Sequence, residues 1–152
     1  VTINGSDGTT TVNTEEDQDD VMINNTGGDT TVNTGSDSDL ININDTDGNS
    51  TIVNAGTEDD QINVRGTGAT ITEIRADAGA DTINVGTFAA EYDNTVSASG
   101  TLNEIAGAVK LYAGDETNAN TAEHDVVNFD DFISNRFGQY YSHELTSRIE
   151  AA

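Results

Sequence analysis

Apolar residues in this chain come in short alternating runs, and the runs recur. In residues 30–43, TTVNTGSDSDLINI, Thr30, Val32 and Thr34 alternate with Thr31 and Asn33, and Ile41 and Ile43 alternate with Leu40 and Asn42. Period two is the pattern of a strand with one buried face, and the acidic GSDSD between the runs reads as a turn. Val1 and Ile3 match Val21 and Ile23, then Ile41 and Ile43, Ile62 and Val64, and Ile83 and Val85, at steps of 20, 20, 21 and 21 residues. A second ladder runs Val12, Val32, Val53 and Ile74. It is flanked on the same face by Thr10, Thr30, Thr51 and Thr72 and by Thr14, Thr34, Ala55 and Ala76.

Two strands and two turns in about 20 residues suit a two-sided parallel coil, each strand stacked about 4.8 Å from its equivalent. The expected fold is therefore all-β, a right-handed parallel β-solenoid (β-roll or β-helix) with rungs of 20–22 residues and two short strands per rung. Its core ladders are Val12, Val32, Val53 and Ile74 in one sheet and Val21, Ile41, Ile62 and Ile83 in the other. The outward rows are polar: Asn13, Asn33, Asn54 and Arg75, and Thr2, Met22, Asn42, Asn63 and Asn84, with Met22 out of character. Proline is absent, which suits a sheet that uses nearly every backbone N–H.

No composition break divides the 152 residues, so a single elongated domain is expected, with regular rungs over 1–86 and looser, wider rungs with a C-terminal strand or cap over 87–152. After Val85 comes an insertion-like GTFAAEYDN before Thr95 and Val96. Val109 and Leu111 offer an opposite strand, and Asp125, Val127 and Phe129 repeat Asp81, Ile83 and Val85 at 44 residues, a spacing that reads as two rungs of 22. Near the end LTSRIE reads as one more strand, with a short amphipathic helix as the alternative, for roughly six or seven rungs in all.

Charge adds chemistry to this frame. Five Lys plus Arg against 28 Asp plus Glu give a net charge of -23, which repels nucleic acid and anionic lipid and attracts cations. There is no apolar run long enough for a membrane-spanning helix and no cysteine for a disulfide or zinc–thiolate site. The acids are in register with the strands. Stacked turns put Asp19, Asp39, Asp60 and Asp81 in one column and Asp17, Asp37 and Glu58 in another beside it. Like charges about 5 Å apart repel, whereas Ca2+ takes six to eight hard oxygen ligands and would bridge adjacent rungs. The opposite turns add Asp45 and Asp47, with Asp7 and Asp29, and Asp77 opens the last acidic turn. A rung buries about three medium apolar side chains, worth roughly 1.5–3 kcal/mol each, against about 1.5 kcal/mol of entropy per ordered residue. Folding is thus expected to depend on calcium.

GSDSDLINI, GTEDDQINV and DAGADTINV resemble the nonapeptide GGxGxDxUx of repeats-in-toxin (RTX) β-rolls, and the alternation with TGGD is similar to repeats of very large bacterial surface proteins. Asp39, Asp60 and Asp81 fall on the motif's aspartate, and by register so does Asp19. The second motif glycine is Asp17, Asp37 or Glu58 here and survives only as Gly79. The resemblance implies an extracellular or cell-surface, calcium-binding, repetitive structural segment whose turn aspartates and carbonyls hold the ion.

No nucleophile elbow or P-loop is present, His124 and His143 stand far apart, and every acidic pair is accounted for by turn position, so no catalytic residue is assigned. The expected role is a stiff spacer, or a fibre or surface-layer component built by end-to-end stacking through open solenoid ends, with flanking repeats or copies of itself as partners. An adhesive, carbohydrate-binding or ice-binding module is the alternative. Thr11 and Thr31 begin an outward Thr rank, which Ile52 and Glu73 break. Asn4, Asn24, Asn44 and Asn49 each open an N-x-S/T sequence, a glycosylation acceptor pattern.

Overall fold

Short β-branched runs cannot bury their apolar face alone, so each leans on the run one repeat away. A computed structural model describes residues 1–68, 71–86, 102, 104–114 and 125–129. Along the chain the strands are β1 (Thr2–Asn4) and β2 (Thr10–Asn13), β3 (Asp20–Asn25) and β4 (Thr30–Gly35), β5 (Leu40–Ile43) and β6 (Ser50–Thr57). There follow β7 (Gln61–Val64) and β8 (Ile71–Ala78), β9 (Thr82–Val85) and β10 (Ala108–Tyr112), and β11 (Val126–Phe129). The odd-numbered strands form one six-stranded parallel sheet in sequence order, and the even-numbered strands a five-stranded one. The fold is a parallel β-solenoid without helix among the described residues, which make five two-strand rungs and open a sixth.

Register follows the repeat. Val21 sits beside Ile41, Ile41 beside Ile62 and Ile62 beside Ile83. In the facing sheet Val12 sits beside Val32, Val32 beside Val53 and Val53 beside Ile74. Seven of these eight ladder residues are fully buried, and Val12, on the first rung, is partly buried against them. Ile23, Ile43, Val64, Val85, Ala55 and Ala76 complete the core. Stacking the same branched side chain on itself gives each the neighbour its shape fits, so one pattern repeated fills the whole interior.

Beyond Val85 the spacing departs from expectation. Val127 pairs directly with Ile83 and Phe129 with Val85, so the 44 residues from Ile83 form one rung and not two of 22. Val109 and Leu111 supply its opposite strand, beside Thr72 and Ile74. The extra length is taken up between β9 and β10 and between β10 and β11. A parallel neighbour constrains where a strand lies and leaves the connection free to lengthen. Thr95, Val96, His124, His143 and LTSRIE lie outside the described residues.

Candidate metal centre

The turns that lead from each even strand to the next odd one carry the acids. Asp17, Asp37 and Glu58 hold left-handed backbone, with φ of 75°, 74° and 70°, and Gly79 follows at 151°. Such φ costs a side-chain-bearing residue about 1–2 kcal/mol, and this is the turn position where the nonapeptide pattern carries glycine. Asp37 and Glu58 each offset part of that cost by accepting a backbone N–H from the rung before. Asp37 Oδ2 accepts from Asp17 at 3.2 Å and Glu58 Oε2 from Asp37 at 3.1 Å. The Thr57 hydroxyl and the Asp37 N–H hold the exposed Glu58 carboxyl below the usual range. This outer column is open to solvent.

The inner column is different. The N–H of Asp19 donates to Asp39 Oδ1 at 2.8 Å, Asp39 to Asp60 at 2.8 Å, Asp60 to Asp81 at 2.9 Å and Asp81 to Asp125 at 3.0 Å. Asp39, Asp60 and Asp81 are 3%, 2% and 0% exposed. Their Oδ2 atoms, with that of Asp19, are buried and have no hydrogen-bond partner. Burial, with like charges above and below, pushes Asp60 up to about 7 and Asp81 up to about 6, against the N–H bond that each accepts. A buried carboxylate oxygen without a donor costs several kcal/mol unless a proton or a cation meets it.

That orphaned line of oxygens is the test of whether calcium fits. Among the described residues no three Asp, Glu or His side chains already surround a common point. The fit therefore lies in donor chemistry: one free hard oxygen per rung on Asp19, Asp39, Asp60 and Asp81, with the solvent-facing carboxylates of Asp17, Asp37 and Glu58 two residues earlier in the same turns. Bound there, a divalent cation would supply the charge compensation that the protein itself does not. The residues fit.

The remaining expected ligands stand apart from these columns. Asp77 pairs with Gly56, in the row Glu15, Gly35, Gly56, Asp77, and is exposed. Asp45 and Asp47 lie in the opposite turn, where Asp45 Oδ1 accepts from the Thr46 N–H and Asp47 Oδ2 from Asn25. What stacks in that turn is backbone: a Cβ on Gly28 would lie 2.3 Å from Gly8 O, and one on Gly48 2.3 Å from Gly28 O. Asp125 joins the head of the inner column, as its match to Asp81 in the repeat allows.

Three asparagine ladders run along the outer faces, a feature that the polar rows alone did not announce. Asn42, Asn63, Asn84 and Asn128 are bonded in series at 2.9–3.0 Å. The first three are no more than 6% exposed. Asn13, Asn33 and Asn54 form a second ladder and Asn4, Asn24 and Asn44 a third, ending on Arg75 and Arg65 respectively. The third ladder occupies the side-chain amides of Asn24 and Asn44, two of the glycosylation acceptor positions. In the Thr11 row, Thr31 pairs with Ile52 and Ile52 with Glu73, so no flat threonine rank extends along the sheet.

Comparison with family models, with curated proteins and with solved structures returns no match.

Proposed function

We propose that this chain is a calcium-stabilised structural module, a stiff β-solenoid spacer of the repeats-in-toxin kind, working outside the cell or on its surface. The single observation that carries the reading is the line of buried, donorless carboxylate oxygens on Asp19, Asp39, Asp60 and Asp81. A solenoid that only needed solubility would keep its acids exposed, as the outer column does. Burying a second column in register makes the coil depend on something that neutralises it, and the donor set is all oxygen, the preference of Ca2+ over softer metals. Millimolar calcium outside cells would keep such a coil ordered where a stiff element is wanted, and metal binding would be coupled to folding.

The test is circular dichroism with light scattering during a calcium titration, with magnesium as control. The expected result is a coil-to-β transition, or a marked rise in melting temperature, specific to calcium. Full β-structure in chelator with no calcium effect on melting would overturn the metal part of the reading and leave a solenoid held by packing alone.

A further inference from the structure

Departures from the repeat gather at one place on the outer face of the even-numbered sheet. Asn13, Asn33 and Asn54 stack in register along that face, but the next two residues of the row are Arg75 and Tyr112. The row beside it runs Gly35, Gly56, Asp77 and Gly114, with φ of 114°, 118°, 70° and 127°. An asparagine at 75 or 112 would prolong the ladder, and left-handed backbone at 77 favours glycine. Stacking alone accounts for none of the three.

The three side chains converge. Arg75, Asp77 and Tyr112, with Ala78, Ala113 and Gly114, line an open depression of about 490 Å³. Tyr112 is 50% exposed, and the Arg75 guanidinium, which Glu73 and Asn54 hold in place, lies 6.0 Å from its ring centroid. Gly114 keeps the floor beside the phenol low, since a Cβ there would lie 2.1 Å from Asp77 O. Lys110 stands beside Glu73 on the same face, so Arg75 and Lys110 balance Glu73 and Asp77 on a molecule of net charge -23. A hexopyranose ring has the matching chemistry: its C–H face is apolar and suits an aromatic ring, while its rim of hydroxyls calls for donors and acceptors together. Arg75 only donates and the Asp77 carboxylate only accepts. A cationic ligand would be opposed by Arg75 and Lys110, and a polyanion by the charge of the whole molecule.

We propose that the Tyr112 depression binds a neutral hexopyranose unit of a polysaccharide, its C–H face against the Tyr112 ring and its hydroxyls shared between the Arg75 guanidinium and the Asp77 carboxylate. The site lies on the sheet face, apart from the acidic columns, and gives Asp77 a role of its own. It adds attachment to the work of the solenoid and rests on neither the calcium reading nor the spacer reading.

The experiment titrates the full chain, in saturating calcium, with cellohexaose, maltohexaose and laminarihexaose, and with hexagalacturonate as the anionic control, by isothermal titration calorimetry. At least one neutral hexasaccharide should bind. Tyr112→Ala should weaken that binding about tenfold or more, while Tyr112→Phe, which keeps the ring, should retain most of it. Asp77→Gly and Arg75→Met should each weaken it roughly three- to tenfold by removing one hydroxyl partner. Asp77→Gly also eases the backbone, so it keeps the test decisive if Tyr112→Ala loosens the sheet; melting temperatures separate lost binding from lost fold. No binding of any neutral hexasaccharide, binding of hexagalacturonate alone, or unchanged affinity in Tyr112→Ala and Asp77→Gly overturns the proposal. A calcium titration without effect on the fold would count against the metal reading alone.

Discussion

The Asp39 N–H donates to Asp60 Oδ1 at 2.8 Å, while Asp60 Oδ2 is buried with no donor at all. One half of the carboxylate is thus used to stitch two rungs together, and the other half is left as an unmet charge in the same column. Asp60→Asn separates the two roles. The amide keeps an oxygen for the Asp39 N–H and removes the charge. In chelator the variant should be more stable than the parent by about 1–3 kcal/mol, the order of cost for an unsatisfied buried group. In calcium it should lose part of the stabilisation that the ion gives. Paired urea titrations read both. A variant less stable than the parent in chelator would mean that Asp60 is already compensated.

Acidity should act on the metal-free coil in the direction opposite to ordinary acid denaturation. Burial raises Asp60 from 3.8 to about 7 and Asp81 from 3.8 to about 6, so between those limits the folded chain binds more protons than the unfolded one. Stability then falls as pH rises through that window, fully present below about pH 4 for these two groups and lost above about pH 7. Glu58, held low, works weakly the other way at the solvent-exposed surface. The expected outcome in chelator is a higher urea midpoint at pH 5 than at pH 7.5, with calcium reducing or reversing the difference. A midpoint that climbs from pH 5 to pH 7.5 without metal would show that the column is not the dominant titrating element.

The strands, their register and the acidic columns were legible because one physical rule, like stacked on like, writes itself into sequence as a fixed step. In DAGAD the 21-residue step from Glu58 already places Gly79 in its column, and pairing puts Asp77 on Gly56, with positive φ at both, 151° and 70°. The 44-residue interval, by contrast, read as two rungs and is one: the step shows which strands correspond, Val127 with Ile83, but says nothing about how much chain is spent in between. The inner and outer acid columns look alike as text, two residues apart. Their difference in burial, with Asp37 exposed and Asp39 3% exposed, arises from which way the turn points each side chain.

Core substitutions should report position in the stack. Ile62 is fully buried between Ile41 and Ile83, so Ile62→Ala removes contacts with both neighbours and should cost about 2–5 kcal/mol. Ile3 has a strand on one side only and is partly exposed; Ile3→Ala should cost roughly half as much or less. Chemical denaturation at saturating calcium measures both. Equal losses would indicate that the array unfolds as one unit from a common barrier and not rung by rung from its ends.

The closest approach in the acidic turns is made by backbone. A Cβ added to Gly56 would lie 1.9 Å from Gly35 O, and φ there is 118°, a conformation that side-chain-bearing residues rarely adopt. Carbonyl oxygens belong to the rung below and cannot step aside without breaking the ladder, so Gly56→Ala should cost roughly 3 kcal/mol or more and lower the calcium response with it. Asp37 provides the contrast at nearly the same place. Its φ of 74° suits glycine, so in chelator Asp37→Gly relieves the backbone cost while losing only the 3.2 Å bond from the Asp17 N–H. Without metal that variant should fall within about 1 kcal/mol of the parent. If thermal melts in chelator instead show Gly56→Ala folding as well as Asp37→Gly, the rungs do not stack at the distance that the turn geometry requires.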